Sequence, residues 1–269
     1  MATPSTKDGY SSDDSNFEIT KLICARKTNV SEVRKQIVEI VCANGKLGGE
    51  IDTPVPNWML TRKTKPKFPG SDHVTTILLK LFQLSDFLRF DLKQVVELKQ
   101  DINEARFPVE LSYDVNAKSD EYSALTGIGK ETTMKRMTAA VTPNEVSKEY
   151  LNSHSSTKEI VKWIGDLLVR SMKFVSDRGW DYAEEPTNLF LALTGEVGEL
   201  AEVLQFHGEM RGHISNAEMA SLVEEMADVF IYLVRFADSL RVLDDALADL
   251  VGMHKDKKSR KKAKKAPPS

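Results

Sequence analysis

The chain has 269 residues, with 37 Lys and Arg against 40 Asp and Glu for a formal net charge of −3, and 41% of it is hydrophobic. That balance suits globular protein, is long enough for two small domains, and gives no global field to steer nucleic acid or acidic substrates. No run reaches the roughly 18 apolar residues of a membrane span and the first residues lack an apolar core, so a cytoplasmic protein is expected. Cys24 and Cys42 sit in apolar helical contexts and are expected as buried free thiols.

In chain order, residues 1–16 have the composition of disorder. Helical periodicity follows at about 31–44, 71–90, 92–106, 156–177, 187–210, 216–240 and 243–260. Pro54, Pro56, Pro66 and Pro69 with several glycines make 45–70 read as a long loop, and 108–155 is a polar stretch of mixed character. Ser31 with Glu32, Asn188 and Ser215-Asn-Ala-Glu218 supply helix starts, the last in the pattern of a capping box. Alternating strands are absent, so the fold class is all-α. Lys255, Lys257, Lys258, Arg260, Lys261, Lys262, Lys264 and Lys265 form a basic tail, read first as solvated and second as a nuclear-import signal or weak nucleic-acid contact.

Chemistry concentrates in two acidic pairs. Glu196 and Glu199 stand at i, i+3 on one helix, and Glu225 and Asp228 repeat the spacing on the next, so each pair shares a helix face. A solvated surface explains one such pair. Projection at about 100° per residue instead sets the first beside Leu189, Ala192, Leu200 and Val203, and the second beside Val229, Tyr232 and Phe236. Carboxylates on an apolar stripe need a compensating charge, and neither stripe carries Lys or Arg. A divalent cation would supply it. An all-oxygen set without His or Cys favours Mg²⁺, with Mn²⁺ next and Zn²⁺ disfavoured.

Glu-x-x-Glu, a spacer, then Glu-x-x-Asp resembles the signature of the all-α nucleoside triphosphate pyrophosphatases, the MazG-like superfamily. Gly195-Glu-Val-Gly-Glu-Leu-Ala-Glu202 and Asp228-Val-Phe-Ile-Tyr-Leu233 are similar to its dCTP pyrophosphatase branch, and the likeness runs from about Trp163 to Leu240. The resemblance implies hydrolysis of a nucleoside triphosphate, dCTP foremost, to monophosphate and pyrophosphate. It also implies Mg²⁺ held by Glu196, Glu199, Glu225 and Asp228, with one glutamate helping to activate water. By the same resemblance Trp180 stacks on the base, Phe206 aligns with a family Trp and Tyr232 with a family Tyr. The family's polar base-pocket residues after the Trp, a His among them, stand here as Ala183 and Glu184. Core packing is the alternative for each aromatic.

The two halves also resemble each other. Leu81-Phe-Gln-Leu-Ser-Asp-Phe-Leu-Arg89 aligns without a gap with Leu233-Val-Arg-Phe-Ala-Asp-Ser-Leu-Arg241. Lys99-Gln-Asp-Ile-Asn-Glu-Ala-Arg-Phe-Pro108 resembles the end of the last helix of dCTP pyrophosphatases. Two tandem MazG-like four-helix units forming a pseudo-dimer are therefore expected: a disordered 1–16, a degenerate unit at 17–122, a linker at 123–155, a catalytic unit at 156–256 and a basic tail at 257–269. The first unit should hold no metal, because His73 and Thr76 occupy the register of Glu225 and Asp228. Lys99, Asn103 and Arg106, at i, i+4 and i+7, would present two cations and an amide to a triphosphate across the units. Superfamily members assemble as dimers or tetramers, which implies a homodimer, a pseudo-tetramer. An inactive MazG-like scaffold that binds nucleotides or a protein partner is the reading from a different class. Gly127-Ile-Gly-Lys-Glu131 lacks the Ser/Thr and strand of a phosphate loop, and His73, His154, His207, His213 and His254 show no ligand spacing.

Overall fold

The computed structural model describes residues 29–51, 70–112, 119–141, 157–206 and 213–252. The expectations for residues 1–16, Cys24, His154, His207, His254, most of the 45–70 loop and the basic tail lie outside them. The described residues are helical throughout, with no strand among them, so the fold is all-α. In order come α1 (Val30–Ile51), α2 (Ser71–Leu88), α3 (Leu92–Arg106), α4 (Val109–Ser112), α5 (Ser119–Thr126), α6 (Lys130–Val141), α7 (Thr157–Ser176), a 3₁₀ turn (Asp181–Glu184), α8 (Pro186–Glu202), α9 (Asn216–Ser239) and α10 (243–252). No described helix is long and apolar enough to cross a membrane.

α9 is the centre. It packs on α2, α3, α6, α7, α8 and the 3₁₀ turn, and its buried residues include Leu222, Val223, Met226, Ala227, Val229, Phe230, Leu233, Val234, Phe236 and Ala237. Their spread around the helix is wider than one stripe, as a helix enclosed on most sides requires. Phe230 stacks on Trp163 of α7 with centroids 5.1 Å apart and meets Phe82 of α2 edge-on at 5.9 Å. The helix starts on the expected capping box: Glu218 N–H donates to Ser215 Oγ at 3.2 Å and Ser215 N–H to Glu218 Oε2 at 2.8 Å.

α1 pairs with α2, α8 pairs with α9, and α1 crosses α8. The crossing is antiparallel, with Asn44 Nδ2 donating to Thr194 Oγ1 at 3.1 Å and Gly48 set beneath Phe190. A Cβ on Gly48 would lie 2.7 Å from Cζ of Phe190, so this glycine permits the close approach. That packing also corrects the expected loop at 45–70, since α1 runs on through Gly45, Gly48 and Gly49 to Ile51. Tertiary contact outweighs the helix-breaking tendency of the glycines.

Other boundaries moved for local reasons. α8 begins with Pro186 at its first position rather than at Asn188, whose Nδ2 instead donates to Tyr182 O at 2.9 Å, and it ends at Glu202. The polar stretch at 108–155, including the expected linker, contains α4, α5 and α6, and α6 packs on α9 and α3 through Met137 and partners. Cys42 is exposed, contrary to the expectation of a buried thiol, because the buried residues of α1 are Val33, Gln36, Ile37, Ile40, Ala43, Asn44 and Leu47.

α2 and α9 end alike. Arg89 and Arg241 both adopt left-handed backbone, with φ of 61° and 57°. Arg89 N–H donates to Asp86 O and Phe90 N–H to Ser85 O, while Arg241 N–H donates to Asp238 O and Val242 N–H to Ala237 O. These are the same bonds at positions that the gapless alignment equates, and each cap turns the chain into the next helix.

Candidate metal and phosphate site

α8 and α9 bring Glu196, Glu199 and Glu225 together, with one carboxylate oxygen of each within 4.8 Å of the others. Among the described residues this is the one cluster of three or more His, Cys, Asp or Glu side chains able to hold an ion. The trio lies at the rim of the core. The buried stripe of α8 is Leu189, Leu193, Val197 and Leu200, which leaves Glu196 half-buried beside it and Glu199 exposed, not within it as the projection set them. A rim position leaves the trio open to solvent.

Asp228 stands behind the trio with its charge already partnered. Lys99 of α3, 4% exposed, holds Nζ 2.7 Å from Asp228 Oδ2 and 2.7 Å from Glu224 Oε1. The compensating cation missing from both stripes thus comes from a third helix. Glu224, next to Glu225, was not singled out from the sequence; the Glu-Glu doublet is the signal it carried. Burial alone would lower the Lys99 pKa, but Asp228 and Glu224 outweigh it and hold the ammonium above the ordinary lysine range.

One lysine does not neutralise five carboxylates. Burial, then the charges of Asp228, Glu199 and Glu225, pushes Glu196 up to about 8. Burial, then Asp228 and Glu224, pushes Glu225 up to about 8 as well. Asp228 is also raised by burial, with Lys99 opposing. Clustered oxygen donors that resist ionisation in the absence of further positive charge are the condition a divalent cation relieves, and the trio contains no nitrogen or sulfur ligand. The residues fit Mg²⁺ or Mn²⁺.

Of the other expected site residues, Tyr232 lies one turn beyond Asp228, half-buried, its pKa raised by burial with the charges of Glu196 and Asp228 adding to the shift. Arg106 is within electrostatic reach of Asp228, but its donors join α3 to α6: Nε to Ile128 O at 3.1 Å and Nη2 to Thr133 Oγ1 at 2.6 Å. Asn103 is half-buried one turn beyond Lys99, and its carbonyl accepts from Phe107 N–H. Trp180 packs edge-on against Phe107 and Phe174 at 5.8 and 5.9 Å, with its buried indole nitrogen lacking a hydrogen-bond partner among the described residues. Phe206 is 89% exposed beyond the end of α8.

Fold and site together define an all-α bundle with a rim of clustered carboxylates backed by a buried lysine. Comparison with curated proteins finds local relatives in sequence. Over 73 residues, 26% of this chain and 43% of the other, the chain is 48% identical to dCTP pyrophosphatase 1 of Homo sapiens. It is 44% identical over 73 residues to dCTP pyrophosphatase 1 of Bos taurus, again 26% and 43%, and 44% over 68 residues to that of Mus musculus, 24% and 40%. The chain therefore shares local homology with dCTP pyrophosphatases while spanning less than half the length of these relatives. No family model matches the chain, and no solved structure does.

Proposed function

We propose that the chain is a divalent-cation-dependent nucleoside triphosphate pyrophosphohydrolase, with Mg²⁺ as the ion and dCTP as the first substrate to test. The carboxylate trio of Glu196, Glu199 and Glu225 carries this reading, because three oxygen donors within 4.8 Å of one another at the rim of the core suit a divalent ion. Bound there, Mg²⁺ would neutralise phosphate charge. Glu196, Glu199, Glu225 and Asp228 would hold it, and one of the glutamates would accept a proton from the attacking water. Water attacks the α-phosphorus, the bond from that phosphorus to the oxygen bridging to the β-phosphate breaks, and the products are a nucleoside monophosphate and pyrophosphate. Lys99 opposes the burial that raises the Asp228 pKa and so favours its ionised form.

The tandem organisation belongs to the same reading. The matched caps at Arg89 and Arg241 and the pairing of α1 with α2 beside α8 with α9 support two copies of one helical unit, boundaries near 17–122 and 156–256, related as a pseudo-dimer. Lys99 is then the contribution of the metal-free copy to the remaining site. A homodimer of such chains, and cytoplasmic residence, complete the proposal.

The test is pyrophosphate release from a panel of nucleoside triphosphates by the full chain, with Mg²⁺, with Mn²⁺ and with EDTA. Release that requires the ion supports the reading. A protein that binds nucleotide but releases no pyrophosphate with either ion would favour the scaffold instead.

A further inference from the structure

α1 and α8 share an outer face. Their buried sides, with Ala43 and Leu47 on α1 and Leu189 and Leu193 on α8, meet the core, and the helices touch each other at Asn44 with Thr194 and at Gly48 with Phe190. The exposed residues of α1 from 38 to 45 are Val38, Val41, Cys42 and Gly45, and those of α8 from 187 to 198 are Thr187, Asn188, Leu191, Thr194, Gly195 and Gly198. Each strip lies roughly 90° round its helix from the crossing contacts, in the same sense, which in an antiparallel pair sets both on one side as a single surface. None of these residues is charged, in a chain of which 29% is Asp, Glu, Lys or Arg. Val38 is 58% exposed and Leu191 64%. A charge-free surface of this extent, with branched apolar side chains standing from it, marks an interface. Glycine adds to the argument. A Cβ on Gly45 or Gly195 would meet nothing within 4 Å, so packing inside the chain does not require either, although each weakens its helix relative to alanine.

The arrangement itself suits a second copy. Equating Asn44 with Phe190 and Gly48 with Thr194 exchanges the two contacts of the crossing, and the same shift sets buried Ala43 and Leu47 on buried Leu189 and Leu193. A face with this local two-fold character offers a copy of itself two equivalent helices to pack on. Over the 17 residues of α8 the two helices present roughly 25 Å by 20 Å, which with side-chain relief approaches the roughly 800 Å² per partner of a stable interface.

Charge at one end of the face sets the orientation. Lys35 precedes Asn44 on α1 and Glu202 follows Thr194 on α8, each by about 12 to 14 Å and to the same side of the crossing. Both are exposed, and neither is paired with an opposite charge among the described residues. A copy turned about an axis along the helices lays its α1 over this α8 and brings Lys35 of each chain to Glu202 of the other.

Resting on the homodimer of the preceding reading, we infer that the shared face of α1 and α8 is where a second copy of this chain docks, α1 on α8, with two Lys35–Glu202 pairs at one end. Glu199 follows Gly198 at the edge of the face, so the docked copy borders the carboxylate trio.

Sedimentation equilibrium of the full chain tests this. The unaltered protein should sediment at twice the 30.2 kDa of one chain. Leu191→Glu, with Val38→Glu as a second probe, should raise the dimer dissociation constant about tenfold or more while circular dichroism is unchanged, since both side chains are exposed. Lys35→Glu should weaken the dimer about threefold or more, and Lys35→Glu combined with Glu202→Lys should recover that loss. A monomer at micromolar concentration, or a dimer that neither Leu191→Glu nor Val38→Glu weakens, overturns the inference. A doubly reversed protein no tighter than Lys35→Glu also overturns it, because the copies then meet in another orientation. Pyrophosphate release is read separately. Release from a monomer would overturn the inference and leave the hydrolase reading standing, whereas a dimer at this face without release would support the inference and overturn the hydrolase reading.

Discussion

Lys99 Nζ lies 2.7 Å from Asp228 Oδ2, joining residues 129 positions apart in a contact where the lysine is only 4% exposed. This bond explains how a buried aspartate can stand behind three glutamates, and it makes α3 part of the site. Replacing one partner of a buried pair leaves the other charge without compensation.

Lys99→Met should accordingly lose about 3–5 kcal/mol of stability in metal-free buffer. Saturating Mg²⁺ should recover part of the loss, because ion binding stabilises the folded state by mass action. Urea denaturation with and without Mg²⁺ measures both. A midpoint equal to that of the unaltered protein would mean that Asp228 and Glu224 are neutral or hydrated.

Glu196→Gln and Asp228→Asn should each abolish ion-dependent turnover while leaving helix content intact, since each removes an oxygen charge needed for the ion. Glu225→Gln should also raise metal-free stability by relieving repulsion from Asp228 and Glu224. Circular dichroism, thermal melts and Mg²⁺ titration separate the effects. Near-normal activity at saturating Mg²⁺ in the first two variants would remove them from the ligand set.

Metal-free stability should fall as pH rises from 5 to 8. Glu196 and Glu225 titrate at about 8 in the folded chain against an ordinary 4.5. Between those values the folded state holds protons that the unfolded state has released, so the stability they contribute is present below the unfolded value and is lost on passing through the folded one. Mg²⁺ should flatten or reverse the slope by stabilising the ionised forms. Chemical denaturation midpoints at stepped pH read this directly, and a flat metal-free profile would contradict the burial of the acids.

Residues 150–269 expressed alone should not fold cooperatively. α9 would lose the cover of α2, α3 and α6, exposing Phe230 at its contact with Phe82 and leaving Glu224 and Asp228 without Lys99. A sharp thermal transition in that fragment would show that the second half is self-sufficient.

Arg89→Gly should stabilise the full chain by up to about 1 kcal/mol, because glycine adopts left-handed backbone without the Cβ penalty that arginine carries. Arg89 is exposed, so its side chain loses no core contact. A lower melting temperature would mean that the arginine makes a compensating interaction.

The sequence by itself determined the helices with clear apolar periodicity and local caps. α3 spans the expected 92–106, with Asp91 accepting from Lys93 and Gln94 N–H, and Ser215 with Glu218 opens α9 as the capping box requires, because both signals act over three or four residues. The i, i+3 acids were legible for the same reason: helical spacing is a local property. Where those acids sit was decided by the tertiary structure. Helix projection gave direction but not depth, so it could not separate Glu196 at the rim from the exposed Glu199. Continuation of α1 through three glycines depended on Phe190, 142 positions beyond Gly48. Pairings of Lys99 with Asp228 and Glu224, and of Arg235 with Glu184, had no short-range signal, since opposite charges can compensate burial from any distance along the chain once packing excludes water.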